Sequence, residues 1–155
     1  MKKIIIVSII LLATSCSKKP DIFPENFFNL KLTQKMTGDE AASFVNRLHF
    51  DSVTSEKNEI GFYQGSKGNA VIYVTYYENE KSALDSFVKM TQKISPENSV
   101  FIKGSLIKIS GKRIYRTFGM GQTHYVFTSG NKLFWISAET IWAINFLNDY
   151  LNFLE

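Results

Sequence analysis

Cysteine, histidine and proline are all scarce in this 155-residue sequence, which contains one cysteine (Cys16), two histidines and three prolines. A single cysteine cannot form a disulfide within the chain, so the folded part must be stabilised by its core alone. One cysteine and two histidines also fall short of the usual ligand set of a zinc site. We therefore predict no metal and no cofactor.

Long hydrophobic runs are scarce as well. The apolar block at residues 4–13 is interrupted by Ser8 and is too short to cross a membrane, which takes about 20 apolar residues. It follows Lys2 and Lys3, and small residues lead from it to Cys16. A positive start, an apolar block of this length and a small-residue end are typical of a secretory signal peptide.

Residues 1–20 resemble the signal peptide and lipobox of bacterial lipoproteins, in which a peptidase cuts before a cysteine that carries a diacylglycerol. Ala13 stands where that family prefers leucine. The resemblance implies that residues 1–15 are removed and that Cys16 becomes the lipidated, palmitate-bearing first residue. The alternative is an ordinary secretory signal that leaves Cys16 as a free thiol open to oxidation.

The expected location follows from the same resemblance. Two or three acyl chains on one cysteine suffice for stable membrane attachment. Ser17 stands where many inner-membrane lipoproteins have a retention aspartate. The resemblance therefore implies a cell-envelope protein that is lipid-anchored on the periplasmic side, with the outer membrane favoured over the inner membrane.

The mature chain divides into two parts. Residues 16–29 mix charges, two prolines and asparagines, which predicts a tether between lipid and domain. Residues 30–155 have the length of one domain. The whole sequence is 45% hydrophobic and 14% aromatic, enough for a core without disulfides.

Hydrophobic periodicity predicts an α+β fold with the order α-β-β-α-β-β-β-β-β-α. We expect an antiparallel sheet of about six to seven strands flanked by helices, with two tandem β-β-α units as one reading of the order. The order is similar to that of PsbP/Mog1-type sandwiches, a likeness that transfers no function. The predicted helices begin near residues 37, 79 and 138. A short edge strand is expected within residues 27–32. The other predicted strands cover residues 59–64, 69–78, 100–103, 105–109, 112–118, 122–128 and 132–137.

Charge is distributed unevenly along the chain. Residues 97–132 contain six basic residues against Glu97 alone, and residues 133–155 contain no basic residue. The basic meander at residues 103–132 is either the solvated face of a sheet or a surface that binds anions or lipid headgroups. Lys112 and Arg113 are adjacent and should point to opposite faces of a strand, which counts against one tight cluster.

No group of residues predicts catalysis. The sequence lacks the G-x-S-x-G elbow of hydrolases and the spacing of a phosphate-binding loop. His49 is expected at a helix end and His124 within a strand, neither with an evident catalytic partner. We predict that the protein is not an enzyme, with a hydrolase as the least favoured reading, and that nucleic acid is not a partner.

The remaining hypothesis is a lipid-anchored binding or assembly module for a protein or anionic envelope partner. Aromatic and arginine side chains often anchor interfaces, although they can equally fill a small two-sided core. The candidate interaction surface comprises Arg113, Tyr115, Arg116, His124 and Tyr125.

Overall fold

The computed structural model describes residues 21–49, 56–94 and 99–155. The signal peptide and Cys16 lie outside the described residues. Within them the chain forms eight strands and three helices. The elements are β1 (Asn26–Phe27), β2 (Leu30–Thr37), α1 (Gly38–His49), β3 (Lys57–Gly65), β4 (Gly68–Tyr76), α2 (Glu80–Lys93), β5 (Ile102–Ile109), β6 (Lys112–Gly119), β7 (Gln122–Ser129), β8 (Lys132–Glu139) and α3 (Ala143–Phe153).

The described strands form one sheet in the order β1-β2-β3-β4-β8-β7-β6-β5. Every pair of neighbouring strands is antiparallel. The predicted α+β class and antiparallel sheet are therefore confirmed. The sheet is larger than the six to seven strands predicted, because residues 26–37 contribute the two strands of a hairpin.

The predicted separation of residues 100–103 from residues 105–109 is wrong, because Ile102 and Lys103 belong to the same strand, β5, as residues 105–109, and residues 100–101 precede that strand. Its pairing register with β6 shifts between Ile102 and Ser105, and Lys103 has a positive φ of 54°. Gly104 thus lies within a bulge and does not end the strand. A bulge keeps the strand continuous while bending it and locally disturbing its pairing.

Two-residue turns set the register of the meander that follows. Ser110 and Gly111 between β5 and β6 have φ values of 47° and 75°, and Met120 and Gly121 between β6 and β7 have 51° and 79°. Positive φ at both central residues is the conformation that matches the twist of a tight hairpin. These turns fix which side chains of β5, β6 and β7 share a face.

The strand β4 lies between β3 and β8, as expected for a strand that is apolar on both faces. On one face the Phe44 ring of α1 contacts Phe62 and Tyr73. Tyr73 is directly opposite Trp135, which packs against the α2 cluster, so α1 and α2 share this face. We call it the α1–α2 face.

The opposite face carries α3 and contains the larger core. Side chains of α3, including Phe146, Leu147 and Tyr150, are fully buried against sheet residues such as Phe134. We call this side the α3 face. The order β-β-α does occur twice, at β3-β4-α2 and β7-β8-α3, but the two helices cover opposite faces. The units are therefore not equivalent in packing.

The closing helix begins later than residue 138, where the sequence placed it. Ala138 still pairs with Ala70 of β4, so β8 continues to Glu139 and α3 begins at Ala143. By contrast, the predicted start of α2 is confirmed, since the Asn79 side chain accepts a hydrogen bond from the Ser82 amide at 2.9 Å.

Residues 21–29, which the sequence assigned to the tether, pack against the sheet. The Phe23 side chain is 2% exposed, and its ring covers Gly61, where an added Cβ would lie 2.5 Å from it. The Tyr150 hydroxyl donates to the Ile22 carbonyl at 2.7 Å. This segment is therefore part of the folded body, and residues 16–20 lie outside the described residues.

Candidate functional site

Three of the five residues of the predicted interaction surface lie in the interior. Tyr115, His124 and Tyr125 are 8%, 3% and 2% exposed. Tyr115 packs with Phe87 on the α1–α2 face, whereas Tyr125 belongs to the core of the α3 face. These aromatic side chains fill a two-sided core, as the alternative reading of the sequence allowed.

The two arginines of that predicted surface point to opposite faces of β6. Arg113 is exposed, and its guanidinium lies 5.9 Å from the centroid of the Phe87 ring of α2. Arg116 is partly buried on the α3 face, over the Phe118 ring at 5.5 Å. The five predicted residues therefore do not form one continuous surface.

Arg116 has spare hydrogen-bonding capacity within the described part of the chain. Its Nε is buried without a hydrogen-bond partner there, and its Nη2 donates only a long bond of 3.5 Å to the Ser105 hydroxyl. Burial raises the pKa of Tyr125, and the neighbouring Arg116 charge opposes that rise. No described carboxylate forms an ion pair with this guanidinium, which lies beside β5.

The strand β5 forms the edge of the sheet farthest from the amino-terminal hairpin. No described residue pairs with its outer side, where the N–H and C=O groups of alternate residues point away from the sheet. Ile102 and Leu106 are 56% and 59% exposed. Unpaired edge groups of this kind can accept another strand. We call the outer side of residues 105–109 the β5 edge.

The β5 edge is strongly basic. Residues 99–132 contain no acidic residue, and Lys108 lies directly opposite Arg113 on the α1–α2 face. The ion pairs among the described residues involve Lys35, Lys57 and Lys81, all distant in sequence from this region. Five basic side chains near the edge form no ion pair with a described residue: Lys103, Lys108, Lys112, Arg113 and Arg116.

The sequence did not single out Leu106 or the β5 edge as a site. An amphipathic pattern identifies a strand but does not say which strand lies at the border of the sheet, because strand order differs from chain order. The sequence feature that could have indicated this site was the group of basic residues without acidic neighbours. The opposite orientation of Arg113 and Arg116 could also have been predicted, since residues three apart on a strand face opposite sides.

His124 is the centre of a buried polar network between β7, β8 and the β6–β7 turn. Its Nε2 lies 3.0 Å from the Gly119 carbonyl, and its Nδ1 lies 2.8 Å from the Ser137 hydroxyl. The Trp135 indole N–H donates to Ser137 at 3.0 Å and to His124 Nδ1 at 3.2 Å. Since the carbonyl can only accept, this network assigns the proton to Nε2.

The chemistry of this network is that of a packed interior. Burial lowers the pKa of His124, although the bond to Gly119 acts in the opposite direction. The Phe101 ring packs edge-on against the imidazole at 4.9 Å. Ser137 is 5% exposed, so the contact between serine and histidine leaves no open position for a substrate. His124 holds together the end of the meander next to β5.

Two further observations concern the described residues only. No three histidine, cysteine, aspartate or glutamate side chains among them are placed to share a metal ion. None of their helices combines the length and apolar character needed to cross a bilayer.

Comparison with known proteins identifies the fold. No family model matches the chain, and no curated protein matches it. The chain is similar to the crystal structure of a GTP binding regulator from Thermotoga maritima, with a TM-score of 0.56 and 14% sequence identity. The match covers 82% of this chain and 78% of the other. At this level of identity the likeness shows a shared α+β fold and nothing about activity.

Proposed function

We propose that this protein is a lipid-anchored module of the bacterial cell envelope that binds another envelope component through its β5 edge. The observation that carries the proposal is the combination of unpaired strand edge, exposed Leu106 and uncompensated basic side chains at one border of the sheet. Arginine side chains are frequent interface anchors, and surface charge steers a partner of opposite sign.

The place where the described chain begins supports the choice of the β5 edge as the binding surface. Asp21 forms an ion pair with Lys35 of β2 at 3.2 Å, so the described chain starts beside β2. Cys16 and Asp21 are five residues apart, a distance of at most about 18 Å in an extended chain. The strands β2 and β5 are separated by six strand spacings, or about 29 Å. A lipid on Cys16 would hold the β2 side near the bilayer and leave the β5 edge free.

A second candidate function is direct binding of an anion or lipid headgroup by the basic meander. The partnerless Nε of Arg116 favours it. The arrangement of charges favours it less, because Lys108 and Arg113 lie on one face while Lys112 and Arg116 lie on the other. Split in this way, the four charges suit a partner that runs along the edge better than one small anion. A hydrolase stays the least supported reading.

Capture of partners in intact cells tests the proposal. The epitope-tagged full chain is crosslinked in its own host and purified, together with the variant Lys108→Glu/Arg113→Glu. The matched control is Lys31→Glu. Lys31 is an exposed lysine on β2, near the border of the sheet opposite β5. We expect the edge variant to lose a crosslinked species that wild type and control retain.

A loss of capture counts as evidence only if the variant is folded. Circular dichroism and thermal unfolding of the purified variants establish this. A folded edge variant that captures the same species as wild type contradicts the proposal. Loss of capture with Lys31→Glu but not with the edge variant would place the interface on the β2 side.

A further inference from the structure

We infer that the partner presents an extended acidic segment, which adds to the sheet as a further strand beside β5. This inference rests on the proposed function and specifies the chemistry of the partner at the same site. Strand addition supplies main-chain hydrogen bonds for affinity and alternate side chains for specificity.

The backbone of β5 limits where such a strand can pair. The bulge between Ile102 and Ser105, with Lys103 at positive φ, disturbs the regular ladder at the start of the strand. From Ser105 to Ile109 the pairing with β6 is regular, one residue against one. These five residues are long enough for a short antiparallel or parallel ladder on the outer side, since strands of about five residues are common.

The side chains of β5 give the two faces of an added strand different neighbours. On the α1–α2 face lie Leu106 and Lys108, both exposed, with Arg113 directly behind Lys108 on β6. On the α3 face lie Ile107 and Ile109, which are partly buried at the border of the main core. An added strand is therefore best matched when acidic side chains point to the α1–α2 face and apolar side chains to the α3 face. The recognised pattern is alternation of acidic and apolar residues.

Charge complementarity selects this occupant over a second copy of the chain. Edge-to-edge pairing of two β5 strands would bring Lys108 and Arg113 of both copies together without any acidic residue between positions 99 and 132. Like charges placed opposite each other across an interface are costly, and lysine on an edge strand is a common device against self-pairing. An acidic segment gains from the same charges.

Binding of designed peptides to the full chain in detergent micelles tests the inference. The probe is a fluorescein-labelled seven-residue peptide that alternates glutamate and valine. One control peptide replaces each glutamate by lysine, and another carries N-methyl groups on the backbone nitrogens of the central valine and the glutamate after it. The second control keeps the charge and removes a backbone donor that a ladder needs, because the N–H groups of adjacent residues point to opposite sides of a strand. Fluorescence anisotropy measures affinity, and amide hydrogen exchange reports protection along β5.

We expect the glutamate peptide to bind and to protect amides within residues 105–109. The lysine peptide and the N-methylated peptide should each bind more weakly by about tenfold or more. Lys108→Glu/Arg113→Glu should reverse the preference between glutamate and lysine peptides, whereas Lys31→Glu should leave it unchanged.

Several results would overturn the inference. Equal affinity for the N-methylated peptide would show attraction by charge without strand pairing. A concentration-dependent dimer whose formation protects amides within residues 105–109 would identify a second copy as the occupant. If cellular capture depends on Lys108 and Arg113 but no peptide binds, the proposed function stands and the acidic strand does not. If capture is also insensitive to these residues, both fail.

Discussion

At the scale of single residues, His124 shows how one polar side chain can secure a border of the sheet. Its ring nitrogens contact Gly119, at the end of β6 where the β6–β7 turn begins, and the β8 residue Ser137. Its ring also packs against Phe101, just before β5. The imidazole therefore connects β6 and β8 with the residue that precedes β5, which explains its burial without invoking catalysis.

His124→Ala should destabilise the fold without abolishing partner capture in the protein that remains folded. The change removes the imidazole donor to the Gly119 carbonyl, leaves the Trp135 indole with Ser137 as its one remaining acceptor in this network and opens a cavity, at a cost of about 2–4 kcal/mol in the free energy of unfolding. Urea denaturation measures the loss, and crosslinking below the unfolding temperature measures capture. Abolished capture in a demonstrably folded variant would reopen an active role for the histidine.

The stability contributed by His124 should depend on pH. Burial lowers its folded-state pKa below the ordinary value of 6.5. Between the folded-state pKa and 6.5, the imidazole is therefore protonated in the unfolded chain and neutral in the folded chain. The contribution of His124 to the free energy of unfolding is lost as the pH falls through this range. We expect the stability difference between wild type and His124→Gln to shrink from about pH 7.5 to about pH 5. A pH-independent difference would contradict the assigned neutral, buried imidazole.

At the scale of elements, local patterns predicted the helices, the hairpins of the meander and the central place of β4. The Asn79 cap and the alternation of apolar residues need only neighbouring positions to be read. Strand order could not be predicted in this way, because it depends on pairings between distant segments. Consequently the sequence identified the basic residues but not the edge strand that brings Leu106 and Lys108 to the border.

The amino-terminal segment was misjudged for a related reason. Residues 16–29 have the composition of a tether, yet Phe23 and its neighbours pack over the sheet where Gly61 leaves room for the ring. The sequence contains no local sign that a glycine thirty-eight positions later provides that space. A glycine inside a strand is a weak indication of such close approach.

Phe23 and Gly61 should therefore be energetically coupled. We expect Gly61→Ala to cost about 1–3 kcal/mol by overpacking, and Phe23→Ala to cost about 3–4 kcal/mol by creating a cavity. In the double variant the added methyl group occupies space that the ring has vacated, so the two losses should sum to more than the measured loss. Urea denaturation of all four proteins measures the cycle. Strictly additive losses would indicate that the segment is not seated on Gly61.

At the scale of the whole molecule, a lipid on Cys16 would hold the β2 border of the sheet near the membrane, while the free strand edge of β5 lies at the other border. Five residues separate Cys16 from Asp21 and span at most about 18 Å when extended, so a lipid on Cys16 would restrict how far the domain can turn. The fold itself is shared with a distant structural neighbour and does not determine function.

Cys16→Ser should weaken membrane association and leave an uncleaved or wrongly processed chain. The reason is that lipid attachment to the cysteine sulfur precedes cleavage in the lipoproteins that residues 1–20 resemble. Membrane fractionation and the mobility of the protein on gels measure both effects. A variant that fractionates and migrates like wild type would exclude the lipoprotein interpretation.

The most direct test of the central claim is photocrosslinking in intact cells from single positions on the two sides of the sheet. A photoreactive residue replaces Leu106 on the β5 edge, or Lys31 on β2 as the matched exposed control. Binding through the β5 edge predicts a discrete crosslinked species from position 106 that is absent from position 31 and disappears with Lys108→Glu/Arg113→Glu. Crosslinks of equal yield and pattern from both positions, insensitive to that charge reversal, would contradict it.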